Sequence, residues 1–228
     1  MVDVTLCTLL HGAGSTPEFI ERTFGPAVAA AGATLRAPDV RGASLDEMVT
    51  VIAEGDPGPG DVVGGVSLGA HAAVAFAAST AWYGNLYAVM PAWIGQPGPV
   101  AHLTGETAAR IEATSVSAVL SDLDAALPAD WVVAELSAAW LSMAPGELVE
   151  VLRVASVQPA PDRVTLRRVP GRVEIVALAD DPTHPQDVAR IWAEEIPRTT
   201  LTVLPRDLGG GDSRSLAIAL PRLLSGSR

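Results

Sequence analysis

Ser67 stands at the centre of Gly65-Val66-Ser67-Leu68-Gly69, a G-x-S-x-G pentapeptide between an apolar run and an alanine-rich run. A serine hydroxyl becomes a useful nucleophile when a base takes its proton, and that base is normally a histidine reached from elsewhere in the chain. Here a strand is expected to enter, a sharp turn to follow and a helix to leave, which lifts the serine above the sheet edge. Glycine flanks it because side chains would clash across so tight a turn. The helix N-terminus beneath favours developing negative charge. The competing reading of Ser67 is a buried turn serine in another doubly wound fold.

Four histidines are available as partners. His11 opens HGAG, directly after the first apolar run. His71 lies four residues past Ser67, one helical turn down into the protein, where a buried, satisfied ring is expected. His102 follows GQPGPVA and reads as an exposed loop residue. His184 stands in ADDPTHP, after a late strand.

The elements that must bring these groups together alternate along the chain. VDVTLCTLL reads as a buried strand, PEFIERTFGPAVAAAG as a helix stopped by Gly32, and ATLRAPDVRG as a strand leading into a loop. SLDEMVTVIAEG follows as a helix with Ser44 as its N-cap. DVVGGVS, LGAHAAVAFAAST and NLYAVMPAW are strand, helix and strand. Such alternation implies a mostly parallel sheet with helices on both faces. From about Ile94 to Arg172 only helix-like runs appear, which reads as a helical cap inserted over the strand ends. The expected division is a core of residues 1–93 and 166–228 with a cap of residues 94–165. RVEIVALADDP, PQDVARIWAEEI, TTLTVLP and SRSLAIALPRLL then read as strand, helix, strand and closing helix.

The chain resembles the α/β-hydrolase family at His11-Gly12 after an early strand, the GVSLG elbow, the cap insertion, and ADDPTHP after a late strand. The resemblance covers essentially the whole chain, with the elbow and the strand-turn contexts as its specific parts. It implies an α/β-hydrolase fold and an oxyanion hole built from the backbone N–H groups of Leu68 and Ala13, with Gly14 as the alternative second donor. It places His11 as a structural residue pinning the turn. The acid it implies is Asp181, with Asp180 beside it, because Pro185 follows Asp181 at the expected distance. The family's histidine follows the final strand, often as G-G-H; this chain has TVLPRDLGGGDSRSL, with Asp212 at that place, and no histidine follows His184. Asp212 is therefore either a carboxylate base or a solvated loop residue. Among the histidines, His184 is the candidate base, since turns after parallel strands collect at one sheet edge and it has no other evident duty.

Composition narrows the function. The net charge of −11 argues against nucleic acid as a partner. All 15 basic residues are arginine, which excludes a Schiff-base lysine, a phosphate-binding Walker lysine and a Ser-Lys dyad. No stretch of about 18 apolar residues suggests a membrane span. The N-terminus reads as a strand rather than a signal peptide, and the single Cys7 points to a cytoplasmic protein. Neither a metal-ligand spacing nor a G-x-G-x-x-G is present, so no metal and no cofactor is expected. Trp93, Trp131, Trp140 and Met143 could form an apolar ceiling over a small-molecule substrate. The expectation is a serine hydrolase-like enzyme with an atypical triad, acting on a small apolar ester, thioester or related carbonyl compound. The alternatives are a lyase or cyclase on the same fold, or a catalytically lapsed binding protein.

Overall fold

The computed structural model describes residues 5–225. Six strands form one sheet in the order β2-β1-β3-β4-β5-β6, and every neighbouring pair is parallel. In chain order the elements begin β1 (Leu6–Leu10), α1 (Pro17–Ala30), β2 (Thr34–Arg36), α2 (Leu45–Ala53), β3 (Val62–Val66), α3 (Leu68–Thr80) and β4 (Asn85–Val89). Helices α4 (Pro99–Ala113), α5 (Val116–Ala126), α6 (Trp131–Leu141), α7 (Pro145–Ser156) and α8 (Arg163–Arg167) follow. The chain closes with β5 (Arg172–Leu178), α9 (Gln186–Glu195), β6 (Thr199–Leu204), a short kinked turn α10 (Leu208–Gly211), a 3₁₀ turn (Ser213–Ala217) and α11 (Leu220–Leu224).

The central strands are buried on both faces, which is why they read as continuous apolar runs rather than alternating ones. Leu9, Val62, Tyr87 and Val176 pack with Phe24 and Val28 of α1 and Leu220 of α11 on one face. Leu10, Val63, Leu86 and Ile175 pack with Ile52 of α2, Val74 of α3 and Trp192 of α9 on the other. Helix α3 is apolar nearly all round because it is buried nearly all round, and its alanines let it lie close to the sheet. Ser44 caps α2 in a full capping box with Glu47.

Between β4 and β5 the chain forms helices alone. Ile111, Leu120, Trp140, Leu148 and Leu152 make an apolar cluster of their own within α4–α7, while Leu166 of α8 belongs to the core under the sheet. The expected closing helix SRSLAIALPRLL is instead a 3₁₀ turn followed by α11. Pro221 accounts for the break: a continuous helix would need its missing N–H and would drive its ring into the preceding turn, whereas the first turn of a new helix accepts it. Among the described residues no helix is long and apolar enough to cross a membrane.

Candidate active site

Ser67 joins β3 to α3 with φ 55° and ψ −115°, a backbone conformation that L-residues rarely adopt. Such a position costs on the order of 1–3 kcal/mol and persists only where its surroundings hold it. They do so here from both sides. The Ser67 N–H donates to Val89 O (2.8 Å), and Ser67 O accepts from the N–H groups of Ala70 (3.0 Å) and His71 (3.1 Å) to start α3. The flanking glycines answer to close approach: a Cβ on Gly65 would lie 2.5 Å from Leu10 O, and one on Gly69 would lie 2.4 Å from the same oxygen. The end of β1 therefore presses against the elbow. Gly12, in the turn after β1, faces Ser67 so closely that its Cβ would sit 3.1 Å from Ser67 Cβ.

The turn after β5 brings Asp181 and His184 together. Asp181 is buried, whereas Asp180 is exposed, with a left-handed φ of 56°. Oδ2 of Asp181 lies 3.2 Å from His184 Nδ1, and Oδ1 accepts from Thr183 N (2.9 Å), Thr183 Oγ1 (2.8 Å) and His184 N (3.2 Å). Burial disfavours the charge on Asp181, but the His184 ring and the Thr183 donors outweigh it and hold the carboxyl well below the usual range. With Nδ1 turned to the carboxylate, Nε2 is the ring nitrogen left for chemistry. His184 and Ser67 line the same cavity; among the described residues no hydrogen bond joins Ser67 Oγ to the ring.

The other histidines are committed elsewhere. His11 is buried, with Nδ1 against Gly12 O (2.9 Å) and Nε2 accepting from Val40 N (3.1 Å), so it ties the HGAG turn to the loop before α2. Burial lowers its pKa. His71 is fully buried; its Nε2 accepts from Ala92 N (3.1 Å), and its ring lies edge-on to Trp93 and tilted against Trp192. Burial first, then the charge of His184, pushes its pKa down to about 3. His102 is exposed in the first turn of α4 rather than in a loop, because Pro99 starts the helix there.

Asp212 is no base. Its carboxylate is exposed, accepts from Arg214 N (3.0 Å), and pairs with the Arg214 guanidinium, which lowers its pKa. The three glycines before it all take positive φ, and Ser213 then bonds Thr23 of α1, so this segment folds back onto α1.

The cavity has two lobes that share Ala13, Ser67, Val132, Leu136 and His184. The smaller, of about 90 Å³, is walled by Phe19, Met90 and Trp131, with Glu135 at its rim. The larger, of about 230 Å³, runs under α4–α7 and is walled by Trp93, Trp140 and Leu152. Met143 is buried in the α4–α7 cluster. Among the described residues neither the Leu68 nor the Ala13 N–H has an intramolecular acceptor, and both residues border the larger lobe. Gly14 borders the smaller one.

One residue of the site had no signal in the motifs. Arg206, in the turn after β6, places Nη1 3.1 Å from Asp181 Oδ1 and Nη2 2.9 Å from Asp130 Oδ2. Asp212, beside the glycine run, stands six residues past the side chain that touches Asp181. An arginine following the last strand in place of a histidine is the trace it leaves in the sequence.

A wholly parallel sheet flanked by helices, a strained serine at a strand–helix elbow and an acid turn after β5 together define the α/β-hydrolase fold. Comparison with solved structures agrees. A carboxylesterase from Nitrososphaera gargenis superposes with a TM-score of 0.79 at 14% identity over 99% of this chain and 93% of that one. An esterase from Thermogutta terrifontis gives 0.72 at 17% identity, covering 98% and 90%. An enol-lactonase from Burkholderia xenovorans gives 0.74 at 14%, covering 96% and 92%. No family model matches the sequence, and no curated protein matches it.

Proposed function

We propose that the protein is a serine hydrolase of small, largely apolar esters or thioesters, working through Ser67, His184 and Asp181. The observation that carries this reading is the strained Ser67 facing a cavity that also holds a histidine bonded to a buried carboxylate. In the reaction His184 Nε2 takes the proton from Ser67 Oγ as that oxygen attacks the substrate carbonyl. The oxyanion accepts from the N–H groups of Leu68 and Ala13, and such a donor contributes about 3 kcal/mol. Asp181 holds the ring by Nδ1 and stabilises the imidazolium. His184 then protonates the leaving group, and a water activated by the same ring releases the acyl group from Ser67.

In this reading α4–α7 act as a cap over a small-molecule substrate, and the protein is cytoplasmic, as its lone buried thiol suggests. The esterases and the lactonase of the same fold support the hydrolytic class.

A fluorophosphonate probe should label the wild type and fail to label Ser67→Ala. Hydrolysis of p-nitrophenyl butyrate should fall ~10³-fold or more in His184→Ala. A loss below ~5-fold in a folded variant would make His184 a turn residue, since general-base work contributes at least ~10²-fold. The missing Ser67–His184 hydrogen bond favours one rival, a lyase or cyclase that does not acylate the serine. That rival would turn over its substrate nearly as well in Ser67→Ala.

A further inference from the structure

We propose that Arg206 is a positioning residue that clasps the Asp181 carboxylate and the first turn of α6 together, so that the acid is set for His184 while α6 lies over the cavity. The proposal rests on the hydrolase reading of the preceding section and adds to it a residue outside the three that would carry the chemistry.

The geometry is specific on both sides of the guanidinium. Asp181 divides its oxygens: Oδ2 faces His184 Nδ1, while Oδ1 faces Thr183 and Arg206 Nη1. Donors from Thr183 and His184 already orient Oδ1. Arg206 Nη1 makes no aligned hydrogen bond there and adds its charge at 3.1 Å, which favours the ionised carboxylate that the His184 ring needs. On the far side Nε (3.0 Å) and Nη2 (2.9 Å) of Arg206 both reach Oδ2 of Asp130. Asp130 is the N-cap of α6, accepting from Val132 N at 2.8 Å. A second bond runs the same way, from Trp131 Nε1 to Arg206 O at 2.8 Å.

Helix α6 supplies walls to both lobes of the cavity through Trp131, Val132, Leu136 and Trp140. One residue after β6 thus holds the acid with one arm and the ceiling with the other. The side chains of Asp181, Asp130 and Arg206 are 1%, 12% and 18% exposed, so solvent screens the clasp far less than a surface pair. A planar fork suits two carboxylates at once, which an ammonium, as a compact point charge, does not.

The test is steady-state hydrolysis of p-nitrophenyl butyrate by titrated, folded enzyme. Arg206→Gln should lower kcat ~10- to 100-fold, as a misplaced acid–base pair does, and raise KM. Arg206→Lys should recover most of kcat, since one ammonium can serve Asp181, while KM stays high. Asp130→Asn keeps a capping oxygen and loses the charge, so KM should rise several-fold with kcat within about twofold. A second readout needs no turnover: the proton on His184 Nδ1, seen by NMR in the wild type, should broaden or vanish in Arg206→Gln and persist in Asp130→Asn.

Unchanged kcat and KM in folded Arg206→Gln, with a lowered melting temperature alone, would overturn the proposal. An unaltered Nδ1 proton in that variant would overturn it too. If Arg206→Gln does not fold, Arg206→Lys and Asp130→Asn decide instead: both should raise KM several-fold while keeping most of kcat, and an unchanged KM in both would overturn the proposal. A wild type that neither hydrolyses the ester nor takes the fluorophosphonate label defeats the hydrolase reading alone, and the NMR comparison then still decides whether Arg206 holds the acid.

Discussion

The backbone of Ser67 sets a trade between stability and chemistry. Its φ of 55° suits glycine, while the proposed mechanism requires its hydroxyl. Ser67→Gly should therefore lose probe labelling and gain about 1 kcal/mol of stability, whereas Ser67→Ala should lose labelling with no such gain. For a chain of this size that is a melting-temperature rise of about 2–4 °C, readable by calorimetry. Asp212 makes the contrasting case. It is exposed and paired with Arg214, so Asp212→His should leave esterase activity unchanged, and a gain would contradict this placement. Ser67, Asp181 and His184 could be picked out in the sequence because each stands in a turn directly after a strand-like run. Arg206 could not, since its importance lies in contacts with Asp130 and Asp181, 76 and 25 positions away in the chain.

At the scale of elements, the junction of β1 with the elbow leaves no room for a side chain. A methyl group at Gly69 would meet the Leu10 carbonyl, a backbone atom with little freedom to yield. Gly69→Ala should cost roughly 1–3 kcal/mol or more, as overpacking does, seen as a lowered denaturant midpoint with an unchanged m-value. The β/α alternation was legible because parallel, doubly covered strands such as Val62–Val66 must be apolar throughout and helices such as α1 need a single apolar stripe. The final helix was misread because the apolar spacing of SRSLAIALPRLL is helical, and only the geometry of Pro221 and the left-handed glycines before it decides otherwise.

For the whole molecule, sensitivity to acid follows from histidines that stay neutral when folded. His71 has a pKa of about 3 in the native state against an ordinary 6.5, so between those values the unfolded chain binds a proton that the native chain does not. Stability must then fall as pH drops through that window, by on the order of 1.4 kcal/mol per unit from this residue. His11, lowered by burial as well, acts in the same direction. Asp181, with its depressed carboxyl, adds a loss that sets in as the pH falls into the ordinary carboxylate range and continues below it. Urea midpoints measured from pH 7 to pH 4 should decline, and the decline should be shallower in His71→Gln whatever that variant's absolute stability.

Cys7 lies near the start of β1 with no exposed surface, and burial, reinforced by the charge of Asp61, raises its thiol pKa to about 12. The chain carries no other sulfhydryl. A disulfide reagent such as Ellman's therefore reaches this protein only when the sheet itself comes apart, and each molecule can react once. The rate of colour release under native conditions is then a clock for whole-sheet opening, and every substitution named above can be timed against it without a denaturant.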